Sequence, residues 1–226
     1  MIKSGAVFIV LAKMMGAESN IKSGDYLLKD SVPLFLIIKR LANADFGFTP
    51  LKITIPEGYA VKDIASVFSG FENFNKEKFL KLAKDREGYL FPDTYFFTNK
   101  ETAEEVIEKM ENNFKIKAGE IPKNILIMAS IIEREAHDKE DRKIISGILW
   151  KRLKINMPLQ VDVSLYTYDN RGLPLAPICN PGLDAIDAAL NPVDSKYWYY
   201  LSDKTGATHF ARTFEEHKQN RARYGI

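Results

Sequence analysis

The feature that most constrains the fold is an apolar run that ends in two acids. Residues 125–132 read Ile-Leu-Ile-Met-Ala-Ser-Ile-Ile and are followed by Glu133-Arg134-Glu135. At about 100° per residue, the apolar side chains of this run cover every face of a helix, so the helix must lie inside the protein. Residues 125, 129, 132 and 136 form one continuous apolar stripe along this helix. Glu133 and Glu135 lie on opposite sides of that stripe, and Arg134 points away from it. A carboxyl group at the edge of the stripe loses water and holds its proton more tightly.

The composition is that of an ordinary globular protein. Its 226 residues are 46% hydrophobic and 27% charged, enough for one sizeable core and a smaller domain. The net charge of +2 does not favour binding to nucleic acid or to an anionic membrane, and a neutral or zwitterionic substrate fits better. A single cysteine, Cys179, excludes an internal disulfide framework.

The first 17 residues resemble a signal peptide, with a basic start and an apolar stretch. Lys13 interrupts that stretch, however, and Phe8, Leu11 and Met15 share one helix face, which favours a folded amphipathic helix. No run approaches the roughly 18–20 apolar residues of a spanning helix, so we expect any membrane anchor to lie outside this chain.

The pattern along the chain predicts an α+β fold in two parts. Two stretches, 26–41 and 53–68, each read as strand, turn and short helix, which indicates a small α/β module over residues 1–70. Residues 71–226 read as a mostly helical domain with short β strands and a C-terminal hairpin. The predicted helix starts in this domain are Asn75, Thr98 or Asn99, Pro122, Asp138, the Asn180-Pro-Gly turn and Thr213.

Glu133 is the candidate general acid, because an acid at the mouth of an apolar site has its pKa raised towards neutrality. The alternative is that both acids are solvated at the polar end of the helix. Glu133 and His137 are four residues apart and could reach one metal ion, but no second histidine is nearby, so we expect no metal. Cys179 has no histidine placed to activate it and is predicted to be a small buried residue.

Residues 159–162, Leu-Gln-Val-Asp, alternate as a strand that carries Gln160 and Asp162 on one face. That face is either a solvated edge or, together with Tyr166 and Tyr168, a surface for sugars, which need planar hydrogen-bonding groups and flat apolar rings. The sequence contains no Gly-rich phosphate loop, no Gly-x-Ser-x-Gly and no basic stripe with aromatics. Nucleotide, esterase and nucleic-acid functions therefore have no support.

Taken in order, the motifs resemble those of the endolytic murein transglycosylase, or YceG-like, family. They cover nearly the whole chain with matching order and spacing. The matching segments are 55–58 (Ile-Pro-Glu-Gly), 87–95 (Glu-Gly-Tyr-Leu-Phe-Pro-Asp-Thr-Tyr), 129–135 (Ala-Ser-Ile-Ile-Glu-Arg-Glu), 159–162, 172–174 (Gly-Leu-Pro), 177–182 (Pro-Ile-Cys-Asn-Pro-Gly), 188–192 (Ala-Ala-Leu-Asn-Pro), 197–200 and 209–213.

The resemblance implies a LysM-like module at residues 1–70 and, at residues 71–226, a lytic transglycosylase domain that cuts peptidoglycan glycan strands. It places the catalytic glutamate at Glu133 and implies no cofactor. Family members are normally held on the outer face of the cytoplasmic membrane by an N-terminal helix, which we expect to be missing here. Peptidoglycan synthases are candidate partners. To substrate placement we assign Gln160, Asp162, Asn180, Tyr95, Tyr166 and Tyr168, with Glu135 as a hydrogen-bonding neighbour of the catalytic acid.

Two departures from the family pattern concern the cleft. Only residues 163–171 separate the Gln-x-Asp segment from Gly-Leu-Pro, where the family usually has a longer segment. Leu175-Ala176 also replaces the usual Pro-Gly. These differences bear on the length of the substrate-binding subsites and not on the reaction.

The reaction implied needs one carboxyl group. The acid protonates the leaving oxygen of the MurNAc-β-1,4-GlcNAc bond, and then acts as base on the muramoyl C6 hydroxyl, which closes a 1,6-anhydro ring. Such endolytic cuts are expected to terminate nascent strands. The rival readings are a non-catalytic peptidoglycan-binding protein and a metal-dependent hydrolase using Glu133 and His137.

Overall fold

The computed structural model describes residues 4–24, 26–28, 32–47, 50–136 and 138–225, which form two units. The smaller unit comprises residues 1–54 and 94–101, and the larger comprises residues 55–93 and 102–226. The boundary expected after residue 70 falls inside the larger unit. The mixture of helices and small antiparallel sheets agrees with the predicted α+β class.

The smaller unit contains two helices and a two-stranded sheet. Its elements are α1 (Gly5–Met14), α2 (Leu34–Ala42), β1 (Leu51–Thr54) and β2 (Thr94–Phe97). The strands pair antiparallel, with Leu51 opposite Phe97 and Thr54 opposite Thr94. The N-terminal segment is a folded helix, as predicted, and its Phe8 and Leu11 pack on a small buried cluster.

The strand predicted at the start of the first strand-turn-helix stretch is not formed by residues 26–28, and residues 29–31 lie outside the described residues. In the second stretch, β1 is followed by a turn and a helix, as predicted. Within the described ranges, no helix combines the length and apolar character needed to cross a membrane.

The larger unit is mostly helical and carries a second two-stranded sheet. Its elements are α3 (Val61–Val67), α4 (Lys76–Leu82), α5 (Ala103–Lys117), α6 (Lys123–Glu135), α7 (Lys139–Lys154), α8 (Tyr166–Asp169), α9 (Leu183–Leu190), β3 (Tyr199–Ser202), β4 (Thr208–Ala211) and α10 (Phe214–Tyr224). The strands β3 and β4 form the C-terminal hairpin that the sequence predicts.

Helix α6 lies at the centre of this unit. Residues 126–133 of α6 are all buried, as the apolar run predicts, and the helix packs mainly against α9 and α7. The predicted start at Pro122 and the predicted cap at Asp138 are both confirmed. The Asp138 carboxylate accepts hydrogen bonds from the backbone N–H groups of Glu140 and Asp141 at the start of α7.

Two local predictions are wrong. The cap of α5 is Thr102 and not Thr98 or Asn99, because Thr102 and Glu105 form a reciprocal capping box. Residues 159–162 are not a strand, since Gln160 adopts a φ of 50° and the segment pairs with no strand among the described residues. Thr167 bonds the backbone of this segment instead, and its hydroxyl accepts from Val161 N–H at 3.0 Å. The predicted alternation persists: Leu159 and Val161 are buried, while Gln160 and Asp162 are exposed.

Candidate active site

The Glu133 carboxyl group lies near the C-terminal end of α6 and is only 7% exposed. Its Oε1 accepts a hydrogen bond from Arg142 Nη2 at 2.7 Å, and its Oε2 accepts one from the Gly182 N–H at 2.8 Å. Arg142 also donates from Nε to the Ala136 carbonyl at 2.9 Å, so the guanidinium is fixed at both ends. The carboxyl is thereby held by α6, by α7 and by the backbone that begins α9.

Two loops meet beside this carboxyl. The Gly58 N–H donates to the Asn180 carbonyl and the Asn180 N–H donates to the Tyr59 carbonyl, both at 2.9 Å. Arg134 adds a bond from Nη1 to the Gly58 carbonyl at 3.1 Å. The Ile-Pro-Glu-Gly and Cys-Asn-Pro-Gly motifs, more than 100 residues apart in the sequence, therefore form one wall of the site.

The carboxylate of Glu57 lies close to Gly182. A Cβ atom there would collide with the Glu57 carboxylate. Glu57 thus stands next to the backbone N–H that binds Glu133, and two acids share one small region of the site.

The pKa of Glu133 is raised above its ordinary value, chiefly because burial removes water from the charged form. The Gly182 N–H and the Arg142 charge oppose this rise, and the negative charge of Glu57 adds to it. Each carboxyl oxygen has two lone pairs and uses one for its protein donor, so each keeps a position for a proton or a substrate. The group can therefore hold a proton and deliver it to an oxygen placed beside it.

A second buried acid, Glu87, supports the wall of the site. Both of its oxygens accept from the Val61 N–H at 3.1 Å, and Oε1 also accepts from Asn180 Nδ2 at 2.9 Å. Burial is the main cause that raises the pKa of Glu87 to about 7, and the charge of Asp63 adds to the rise. Glu87 can therefore carry a proton near neutral pH.

Asn180 is 0% exposed, and its side chain is engaged within the protein. Its Oδ1 accepts from the Leu90 N–H, and its Nδ2 donates to the Tyr59 carbonyl and to Glu87, each at 2.9 Å. Direct contact between this amide and a substrate would require these bonds to break. The contacts that the structure gives Asn180 are those of a residue that positions the loops.

Cys179 is buried, as predicted, and its Sγ donates to the Ser130 carbonyl at 3.3 Å. Burial raises the pKa of the thiol to about 12, so it stays protonated and is not a nucleophile.

Glu135 faces a different environment from Glu133. Its Oε2 accepts from the Tyr200 hydroxyl at 3.0 Å, and burial raises its pKa. Glu135 lines a cavity of about 520 Å³ together with Gln160, Asp162 and Tyr168. The structure therefore brings four of the predicted site residues to one cavity, where the Tyr168 hydroxyl bonds the Asp162 carboxylate.

The other two predicted aromatic residues do not line this cavity. Tyr166 is exposed on α8. Tyr95 belongs to β2 in the smaller unit, where it is 5% exposed and its ring packs near that of Phe97. His137, the partner of Glu133 in the metal hypothesis, lies outside the described residues. Among the residues that the structure does describe, no three His, Cys, Asp or Glu side chains are grouped to hold a metal ion.

Sequence reasoning missed Arg142 and Glu57. The signal for Arg142 was available, because residues 142, 145, 149 and 152 form one stripe of α7, and it is the inner one. An arginine on an inward stripe needs a buried partner, and Glu133 is that partner for Arg142. Glu57 gave no comparable signal, since its position next to Gly182 depends on the meeting of two distant loops.

The comparisons with known proteins agree with these motifs. The sequence model of the YceG-like family matches residues 1–166 and 163–223. A Bacillus subtilis protein named endolytic murein transglycosylase is 30% identical, over 99% of this chain and 78% of its own length. A Streptococcus pneumoniae protein of the same name is 27% identical, and this chain spans 54% of its length. The crystal structure of a YceG-like protein from Listeria monocytogenes is 28% identical, with a TM-score of 0.61 over 96% of this chain and 91% of that chain.

Proposed function

The chain belongs to the YceG-like family, and from this membership and the geometry around Glu133 we propose that it is an endolytic murein transglycosylase. The proposed reaction is cleavage of the MurNAc-β-1,4-GlcNAc bond within peptidoglycan strands. The observation that carries the proposal is a buried acid with a raised pKa, fixed by Arg142 and the Gly182 N–H, at a position that the family motifs share.

In this mechanism, Glu133 acts first as acid and then as base. It gives its proton to the glycosidic oxygen as the bond to C1 of MurNAc breaks, and the sugar centre gains oxocarbenium character. The resulting carboxylate then accepts the proton of the muramoyl C6 hydroxyl, whose oxygen bonds to C1. The products are a GlcNAc end and a 1,6-anhydro-MurNAc end, and Glu133 is protonated again.

The cavity beside Glu135 is proposed to place the substrate. Gln160, Asp162 and Tyr168 offer an amide, a carboxylate and a ring, which suit the hydroxyl and acetamido groups of a glycan. Tyr166 lies exposed next to this region of the chain and is kept as a proposed contact. Tyr95 and Asn180 are kept as residues proposed to support substrate placement.

Residues 1–70 are proposed to be a LysM-like module that helps to hold the glycan strand, on the support of β1, the turn that follows it and α3, although α3 belongs to the larger unit. A peptidoglycan substrate also supports a site of action in the cell envelope, on the outer face of the cytoplasmic membrane. Termination of nascent strands and contact with peptidoglycan synthases belong to the same proposal.

The first test is Glu133→Gln, which preserves size and hydrogen bonding but removes the transferable proton. Because general acid–base catalysis contributes about 10²–10⁴-fold, glycan cleavage should fall at least that far. Glu108→Gln, a change at an exposed acid on α5, is the matched control and should cleave normally. Turnover by Glu133→Gln equal to that of the control would refute the assignment of Glu133 as the catalytic acid. If the parent protein binds the cell wall but cleaves no glycan, it is a non-catalytic peptidoglycan-binding protein.

The second test is the mass of the new ends. Attack by the C6 hydroxyl leaves 1,6-anhydro-MurNAc ends that are about 18 Da lighter than the reducing ends left by water. Endolytic action should also give fragments of many lengths early in the digest. A digest dominated by reducing MurNAc ends would identify a hydrolase and would give Asp162 a catalytic role.

A further inference from the structure

The cavity beside Glu135 also has a cationic side that the proposed mechanism does not use. One face of α10 contributes Phe214, His217 and Arg221, which are spaced three and four residues apart and line the cavity together. Arg152 from α7 and Arg134 from α6 complete the set of basic groups. The cavity therefore meets three arginines but only two acids, Glu135 and Asp162.

The acids of the cavity already have donors. Glu135 accepts from the Tyr200 hydroxyl and from the Val163 N–H, and Asp162 accepts from the Tyr168 hydroxyl. Each acid therefore has at least one donor within the protein, and its remaining lone pairs suit the neutral hydroxyl and amide groups of a glycan.

The arginines differ in how far they are engaged. Arg152 is buried and donates to the carbonyls of Leu159 and Trp198. Arg134 donates to the Gly58 carbonyl. By contrast, the Arg221 guanidinium forms no hydrogen bond or ion pair with any residue that the structure describes. The open binding capacity of this cavity is therefore cationic.

His217 provides a second unsatisfied group on the same face of α10. Its Nδ1 is buried and has no hydrogen-bond partner within the described ranges. Burial and the charges of Arg221 and Arg152 lower the pKa of His217, so the ring is neutral at physiological pH and can donate one hydrogen bond. A neutral donor next to a free guanidinium is suited to an anionic oxygen.

The volume and position of the cavity limit what it can hold. About 520 Å³ lies within the range of sites for small molecules or short peptide segments, and Tyr199, Tyr200 and Phe214 supply apolar walls. Arg134 both lines the cavity and bonds to the Gly58 loop beside Glu133. The cavity therefore lies close to the carboxyl group of Glu133.

We propose that this cavity binds a carboxylate of the peptide stem on MurNAc, with Arg221 as the group that pairs with it. The inference rests on the proposed function, because it concerns which murein strands the enzyme selects. The glycan backbone is neutral, and the carboxylates of a strand lie on its peptide stems. Arginine binds a carboxylate through two parallel hydrogen bonds, so an open guanidinium here favours strands whose stems carry free carboxylates over strands whose stem carboxyl groups are neutral amides.

The experiment compares two substrates made from one preparation of glycan strands. One keeps the free carboxylates of its peptide stems, and in the other these carboxyl groups are converted to neutral amides by carbodiimide coupling with excess ammonia. The variants are Arg221→Gln and, as matched control, Arg223→Gln, which changes an exposed arginine on the same helix that does not line the cavity. We expect Arg221→Gln to raise KM for strands with free stem carboxylates by about 10–100-fold, as for loss of a charge-assisted hydrogen bond. The kcat on both substrates and the KM on amidated strands should stay unchanged.

Calorimetry with a free stem peptide, and with the same peptide amidated at its carboxyl groups, gives a readout independent of cleavage. We expect the parent protein to bind the free acid. Amidation of the peptide and Arg221→Gln should each weaken this binding, whereas Arg223→Gln should not. Equal KM values for the two substrates, equal binding of the two peptides, or identical behaviour of the two variants would overturn the inference. Failure of the parent protein to cleave either substrate would instead refute the proposed function, and the calorimetric result would still decide the role of the cavity.

Discussion

The ion pair between Arg142 and Glu133 can be tested by Arg142→Met, which removes the charge and keeps most of the side-chain length. Both side chains are less than a tenth exposed, so the pair is shielded from water. Removal of one member of a buried pair typically costs about 3–5 kcal/mol, because the other charge is left uncompensated. The lost bond from Nε to the Ala136 carbonyl adds about 1 kcal/mol at every pH.

The cost should depend on pH in a defined direction. Burial already raises the pKa of Glu133 in the folded protein, and Arg142 opposes that rise. Without Arg142 the pKa moves further up, so the folded state binds more protons than the unfolded state between the two pKa values. The free energy of unfolding of Arg142→Met therefore falls as pH rises through that window, by about 1.4 kcal/mol for each unit of additional shift. Below the unfolded pKa, only the pH-independent part of the cost remains.

The assay is urea denaturation of four proteins at several pH values: the parent, Arg142→Met, Glu133→Gln and the double variant. The double-mutant cycle isolates the interaction between the two side chains. Arg86→Met is the matched control, because Arg86 and Glu111 form a more exposed pair that should contribute about 1 kcal/mol or less. A loss of stability that is the same at every pH, or a coupling energy no larger than that of the control, would refute the reasoning.

Two further predictions concern stability. Gly147→Ala should lower the free energy of unfolding by about 1–3 kcal/mol in urea denaturation, because a Cβ atom there would collide with the Val193 carbonyl. Gly70→Ala, at a position with open space, is the control and should change little. Equal effects of the two substitutions would contradict the packing argument. The raised pKa of Glu87 makes the folded parent bind more protons than the unfolded parent between pH 4.5 and about 7, so the parent loses stability as pH rises through that window. Glu87→Gln lacks this loss and should gain stability relative to the parent, by at most about 3 kcal/mol. Parallel curves of unfolding free energy against pH would disprove this prediction.

The parts of the structure that could be predicted were those with strong local signals. The apolar run of α6 permits only a buried helix, and Asp138 has the side chain and position of an N-cap. The cap of α5 was placed too early because Thr98, Asn99 and Thr102 all have capping side chains, and only Thr102 has a glutamate three residues later. Local sequence determines caps well only where the competing candidates are absent.

The candidate site was predictable in its central acid but not in its surroundings. Glu133 followed from its place at the end of α6. Its partners Arg142 and Gly182 come from other elements, and their hydrogen bonds depend on how α7 and α9 pack. Gln160 shows the same limit: its exposure followed the predicted alternation, but its positive φ occurs where Thr167 of α8 bonds back to this segment.

The two strands in the sheet of the smaller unit are separated by 39 residues of the chain, 55–93, all of which belong to the larger unit. A deletion that removes everything before Ile55 therefore does not remove this unit cleanly. It leaves β2 without β1, the strand that hydrogen-bonds to its backbone, and an unpaired strand tends to pair with other chains. For that reason, we do not expect the smaller unit to be transferable between proteins as an N-terminal segment alone. A transferred or duplicated unit must include residues 94–101 as well.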